Sequence, residues 1–179
     1  MAGDLVQVTE ELLKLHKDIN FRSDLFFVNI IHLLLTIIRN ICFTAVNNIS
    51  NRKVETTFKS FKDIYSYYMK GGFYITTIHA DGEFTPLQAM IYEHIPGGPR
   101  INLTRANEYV TDIERLVTVI KEIKRAVRHS LLFNNTPKLL TVYIVLTVVI
   151  MLKYFPVRGG LSAILRPNTK MYSDTIHYK

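Results

Sequence analysis

At 179 residues the chain has the length of one domain with a substantial core and hardly that of two. Its 48% hydrophobic and 21% charged content is globular, which excludes a chain that cannot build a core. The net charge of +7 favours acidic partners, either nucleic acid or an anionic membrane, and the single cysteine, Cys42, excludes an internal disulfide and a cysteine-based zinc site.

Met1 to Val6 show no basic stretch followed by an apolar one, so no secretory signal is expected. Residues 1–18 carry a short helical pattern, with Val8, Leu12 and Leu15 on one face and Thr9 as a candidate cap. Ile19 to Asn29, His32 to Ile38 and Cys42 to Asn48 then read as three successive strands of an antiparallel meander, broken near Ile30-Ile31 and at Arg39-Asn40. Glu55 to Lys70 is an amphipathic helix, because Val54, Phe58, Phe61, Tyr65 and Tyr68 recur at helical spacing. Asn51 can cap its start and Gly71-Gly72 stops it.

Phe73 to His79 is a fourth strand that ends at the turn Ala80-Asp81-Gly82. Thr85 to Glu93 is helical, and after the loop Pro96-Gly97-Gly98-Pro99 a short fifth strand covers Ile101 to Thr104. A long helix runs from about Asn107 to His129 with an apolar stripe of Val110, Ile113, Val117, Ile120, Ile123 and Val127. A second long helix follows Pro137 and is ended by Pro156. Its apolar run, Leu139 to Leu152, spans roughly 21 Å as a helix, short of the ~30 Å hydrocarbon layer, so a buried helix is expected there rather than a membrane span. The division expected is a helical segment at 1–18, a core at 19–167 and a loose tail at 168–179. This order of elements is α/β with a mixed sheet.

Asp24 lies inside the first strand, Asp81 just past the end of the fourth, and Glu114 within the first long helix. If the first and fourth strands are neighbours, both aspartates emerge at one sheet edge, and a helix across that edge can bring Glu114 to them. Three converging carboxylates would hold two Mg²⁺ ions, which prefer hard oxygen ligands and assist in-line attack on phosphorus. Position alone does not select this trio from the fifteen Asp and Glu residues of the chain. Asp81-Gly82 is an ordinary turn, and Glu114 an ordinary solvated helix residue, on that reading.

Local sequence adds to it. The segments ELLKLHK (11–17), DLFFVN (24–29), NRKVETTFKSFKDIY (51–65), ADGEF (80–84), NEYVTDIERLVTVIKE (107–122) and FPVRGGLS (155–162) resemble, in order and spacing, the integrase catalytic core of copia-type retrotransposons. These cores belong to the DDE polynucleotidyl transferases. The resemblance covers about residues 11–167, and ADGEF and the Glu-bearing segment are its specific parts. It implies a ribonuclease H-like fold, a mixed five-stranded sheet flanked by helices, with Asp24, Asp81 and Glu114 as the catalytic, metal-binding triad. It further implies two Mg²⁺ or Mn²⁺ ions, DNA as partner, homo-oligomerisation, no membrane and no small-molecule substrate. The implied location is intracellular, in the nucleus or a cytoplasmic retroelement particle.

The long helix adds a basic row. Lys121, Lys124, Arg125 and Arg128 follow Glu114 on or beside one side, and could guide phosphate backbones or form an ordinary solvated face. His79 is near Asp81, and the six histidines show no metal-ligand spacing. Glu83 can simply cap the helix that begins near Thr85. Departures from the family pattern include Phe21-Arg22-Ser23, less apolar than usual and expected to weaken the first strand. Ile31 or His32 stands where a proline is usual, Tyr109 and Thr111 where histidine and proline are usual, and Met151-Leu152-Lys153 replaces Trp-Leu-Asn. The 179 residues also hold no His/Cys zinc module, protease or reverse transcriptase, so autonomous integration is not expected of them. The functions open are therefore a metal-dependent DNA strand-transfer core, possessed of activity or degenerate; a catalytically dead nucleic-acid-binding or self-associating domain; and a small membrane protein using Leu139 to Leu152.

Overall fold

The structure, a computed structural model, describes residues 19–95, 97–103, 111–132, 136–155 and 167. The helical pattern at 1–18, the tail at 168–179, residues 107–110 of the long helix and residues 156–162 of the FPVRGGLS segment lie outside them.

Three strands form the meander: β1 (Ile19–Val28), β2 (Ile31–Ile38) and β3 (Phe43–Ile49). Asn29 makes the β1–β2 turn tight by adopting φ 57°, a left-handed conformation that asparagine tolerates. The second turn closes at Cys42, φ 55°, whose N–H donates to the Arg39 carbonyl at 3.1 Å, so β3 begins one residue later than its sequence pattern predicts. Helix α1 (Val54–Lys70) follows. Its N-cap residue is Lys53, without a side-chain cap bond, whereas Asn51, the expected cap, lies two residues earlier and accepts from the Lys53 N–H at 3.0 Å. Gly72, φ 79°, takes the left-handed position that ends the helix.

Strand β4 (Ile75–Ala80) is followed by a 3-10 turn (Gly82–Leu87), helix α2 (Gln88–His94) and strand β5 (Arg100–Leu103). The expected helix over Thr85 to Glu93 is thus split, and Pro86, which lacks an N–H, sits inside its 3-10 half. Helices α3 (Thr111–His129) and α4 (Lys138–Tyr154) complete the described chain.

The five strands form one sheet in the order β3-β2-β1-β4-β5. β1 pairs antiparallel with β2 and parallel with β4, and β4 pairs parallel with β5. Each face carries a core. On one, Ile19, Phe21, Leu34, Ile38 and Phe43 pack against Phe58, Phe61, Tyr65 and Tyr68 of α1. Phe21 is fully buried and meets Phe61 and Tyr68 edge-on, with centroids 5.6 and 5.3 Å away. On the other, Phe26, Val28, Leu33, Leu35 and Ile37 pack against Ile113, Val117 and Ile120 of α3 and Ile144, Val145, Val148 and Val149 of α4.

Helix α4 lays its Thr141–Val149 face on this second core, while Leu139, Tyr143 and Ile150 stay exposed. Among the described residues no helix is long and apolar enough to cross a membrane, which removes the support for the membrane-span reading of Leu139 to Leu152. Near its end, the Lys153 ammonium lies 4.7 Å above the Phe43 ring, and burial lowers its pKa.

Candidate active site

Strand alternation decides which side of the sheet each acidic residue faces. Phe21 and Leu25 of β1 point to the α1 core, so Arg22, Asp24, Phe26 and Val28 point to the α3–α4 side. The parallel register between β1 and β4 then brings the two aspartates level. Arg22 pairs with His79, an offset of 57 positions (79 − 22). The same offset separates Asp24 from Asp81 (81 − 24). Asp24 stands two residues beyond that pair within β1, and Asp81 two residues beyond it, just past the end of β4, where it begins the 3-10 turn.

Helix α3 lies on that face and packs against β1 and β2. Ile113, Val117 and Ile120 are its buried stripe, and Glu114 flanks the stripe, exposed, in the first turn of the described helix. A charged clasp adds to that apolar contact. Arg22 Nη1 donates to Asp112 Oδ2 at 2.7 Å, and Arg39 Nε reaches the same oxygen at 3.1 Å. Arg22, expected to weaken the first strand, instead finds its partner ninety positions along the chain.

The electrostatics show Asp24 feeling the other two acids. Asp24 is held up to a pKa of about 6 from 3.8, first by burial and then by the negative charge of Asp81. Glu114 and Glu83 add smaller upward pushes, and the Leu25 backbone N–H opposes them. Among the described residues, however, no three His, Cys, Asp or Glu side chains stand close enough together to hold a metal ion as they are placed. Asp24, Asp81 and Glu114 therefore share a region without being drawn to a point. Asp81 Oδ1 is engaged by the Glu83 N–H at 2.9 Å, capping the 3-10 turn.

The donor set fits a hard divalent cation. It is all carboxylate oxygen, the chemistry that Mg²⁺ and Mn²⁺ prefer over soft or imidazole ligands. The half-buried Asp24, pushed toward its neutral form by burial first and then by the neighbouring carboxylates, is a group that a cation would return to its ionised form. His79 lies level with Arg22, and burial first and then the Arg22 charge lower its pKa.

The basic row is divided by the helix. Lys121, Arg125 and Arg128 are exposed on α3. Lys124 is not: it is only 6% exposed, and its ammonium sits 3.4 Å from Asn29 Oδ1 in the β1–β2 turn. The expected nucleic-acid contact of Lys124 is corrected accordingly. Ile113, Val117, Ile120 and Lys124 are spaced i, i+4, i+7, i+11, so Lys124 ends the sheet-facing stripe, while Ile123 and Val127, predicted to belong to it, are 38% and 36% exposed. Burial first, then Arg128 and Arg125, lower the Lys124 pKa.

Sequence reasoning missed Asp112 and Arg39 altogether. The available signal was a charged residue two positions before each of two candidate acids, Arg22 before Asp24 and Asp112 before Glu114. Glu83 does more than precede a helix: its carboxylate is 3.6 Å from Arg52, where the chain enters α1.

No protein-family model matches the chain, and no curated protein sequence matches it significantly. Solved structures do. The crystal structure of the catalytic core domain of BIV integrase matches 86% of this chain and 93% of its own, with a TM-score of 0.59 at 14% sequence identity. At that identity the likeness establishes the fold alone. The chain has the α/β, ribonuclease H-like architecture of an integrase core, a mixed five-stranded sheet flanked by helices.

Proposed function

We propose that this domain is a metal-dependent DNA strand-transfer core of the retrotransposon type, acting through Asp24, Asp81 and Glu114. The observation that carries the reading is that Asp24 in β1 and Asp81, the residue just past the parallel neighbour β4, each follow the Arg22–His79 pair by two positions, with Glu114 near enough to raise the Asp24 pKa. Two Mg²⁺ or Mn²⁺ ions would supply activation of an attacking hydroxyl and charge neutralisation at the leaving oxygen. Asp24 and Asp81 would hold one ion between them and Glu114 the other. Lys121, Arg125 and Arg128 would run along the DNA backbone, giving affinity that falls with salt. The exposed Leu139, Tyr143, Ile150 and Met151 on α4 support self-association of the domain. The proposed place of action is the nucleus or a cytoplasmic retroelement particle.

The purified domain with Mn²⁺ nicks or joins short DNA duplexes on this reading, and Asp81→Asn removes that activity. Activity persisting in the variant would overturn the assignment. Titration calorimetry gives a second readout: Mn²⁺ heat is lost in both Asp24→Asn and Glu114→Gln. One observation favours the competing reading of a catalytically dead nucleic-acid-binding domain, namely that Asp81 Oδ1 is already committed to its own turn. That reading is supported by salt-dependent DNA binding without any Mn²⁺ heat.

A further inference from the structure

At the same end of the sheet as Asp24 and Asp81, but on the opposite face, lies a cavity of about 260 Å³. It is smaller than the ~300 Å³ at which sites for drug-sized ligands begin, so it suits one small ring system. Leu25, the residue after Asp24, lines it, and so does Glu83, two residues after Asp81. Strand alternation turns Leu25 away from Asp24, so one residue of β1 separates the cavity from the acidic region.

The lining is mostly apolar, with His32, Arg52, Thr57 and Glu83 as its polar members. Phe27 is 37% exposed, and the Arg52 guanidinium lies 4.4 Å from its ring centroid. His32, paired with Phe27 across β1 and β2, meets the same ring edge-on at 4.8 Å. Glu83 Oε1 lies 3.6 Å from Arg52 Nη2. An exposed large aromatic under a guanidinium plane, with an imidazole edge and a carboxylate acceptor within one small cavity, is the equipment for an unpaired nucleobase. Bases stack on aromatic rings and on guanidinium planes, and a carboxylate accepts from exocyclic amines of adenine or cytosine. A peptide side chain would need no second planar cation, and a lipid chain would need a longer apolar slot.

We propose that this cavity, built on Phe27, His32, Arg52 and Glu83, binds one unpaired base of the DNA strand that reaches the acidic residues. The site rests on the reading of the domain as a DNA strand-transfer core and adds to it a preference for frayed or overhanging ends. Single-stranded nucleotides pass over the sheet edge, and the base beside the acidic region turns into the cavity. Glu83 favours adenine or cytosine there over thymine.

The test uses the whole chain in EDTA, so that binding is read without cleavage. One probe is a duplex with a three-nucleotide single-stranded end carrying 2-aminopurine, and the other is the same duplex with blunt ends. The native protein quenches the 2-aminopurine and binds the overhang about tenfold more tightly than the blunt duplex, as one stacked base provides. Phe27→Leu, a partly exposed position where leucine keeps the fold, abolishes the quenching and lowers affinity for the overhang alone. Arg52→Gln does the same in smaller measure, and thermal melting confirms that both variants are folded. Equal binding of the two duplexes by the native protein, or equal weakening of both by Phe27→Leu, overturns the base site and leaves the strand-transfer reading standing. Failure to bind either duplex overturns both.

Discussion

Replacing Asp112 by asparagine should loosen α3 on the sheet. Arg22 is only 20% exposed in its side chain and Asp112 39%, so this pair lies between the surface and buried limits. Exposed ion pairs contribute about 0–1 kcal/mol, whereas hydrogen bonds to charged groups contribute about 1.5–3 kcal/mol when water is excluded. The 2.7 Å contact, discounted for partial solvent access, is worth roughly 1–2 kcal/mol. For a domain of this size that lowers Tm by roughly 2–8 °C. Arg39 is 65% exposed, so Arg39→Gln should change stability by less than about 0.5 kcal/mol. The decisive assay is a double-mutant cycle in urea with Arg22→Gln and Asp112→Asn, where the two single losses should overlap by about 1 kcal/mol. Mn²⁺-dependent activity should fall more than stability does, because Glu114 stands two residues from the anchor. Strictly additive single losses, or an Asp112→Asn protein that melts unchanged, would show that the clasp does not position the helix.

Two further outcomes follow from the charges. Asp24 holds its proton up to about pH 6 in the folded chain and to 3.8 in the unfolded one, so the folded state binds more protons in between. Its ionisation therefore costs stability as pH rises through that window, by at most ~3 kcal/mol for 2.2 pKa units and by about 1–2 with solvent at the sheet edge. Asp24→Asn should be more stable than the native protein at pH 8 in metal-free urea unfolding, and the advantage should shrink below pH 6 and be largely gone by pH 3.8. An advantage independent of pH would refute this. On α3, Lys121→Gln and Arg125→Gln should each reduce the slope of log affinity for DNA against log salt by about 0.9. Lys124→Met should leave that slope unchanged, since its ammonium faces Asn29; a reduced slope would place that charge on the DNA instead.

Much of the sheet was readable because β1, β2 and β3 carry buried residues in runs bounded by turn residues, and α1 repeats its aromatics at helical spacing. The same rule misassigned part of α3. Ile123 and Val127 look like stripe residues by hydrophobicity, yet the helix rotates them outward and buries the aliphatic stem of Lys124 instead. Hydrophobicity ranks a lysine as surface, and only the partner at Asn29 tells otherwise. The clasp was hidden for a related reason: Arg22 and Asp112 are charged residues in unremarked positions until a fold sets them 2.7 Å apart. Local pattern tells which face a helix buries. It does not tell how far the helix slides along the sheet.

That slide decides whether Glu114 can serve the aspartates, and two long-range contacts set it. Arg22 meets Asp112 near the start of α3, and Asn29 meets Lys124 near its end. Both partners advance together, so α3 runs parallel to β1. The twelve helical steps from Asp112 to Lys124 cover about 18 Å. The seven strand steps from Arg22 to Asn29 cover about 23 Å, a difference within the reach of an arginine and a lysine side chain. With the helix pinned at both ends, Glu114 lies about 3 Å past the first pin and Asp24 about 6.6 Å past it on the strand. The glutamate is thereby committed to the neighbourhood of Asp24, which agrees with its upward push on the Asp24 pKa. Removing either pin should leave the apolar stripe of α3 on the sheet and loosen the restraint on where Glu114 stands relative to Asp24.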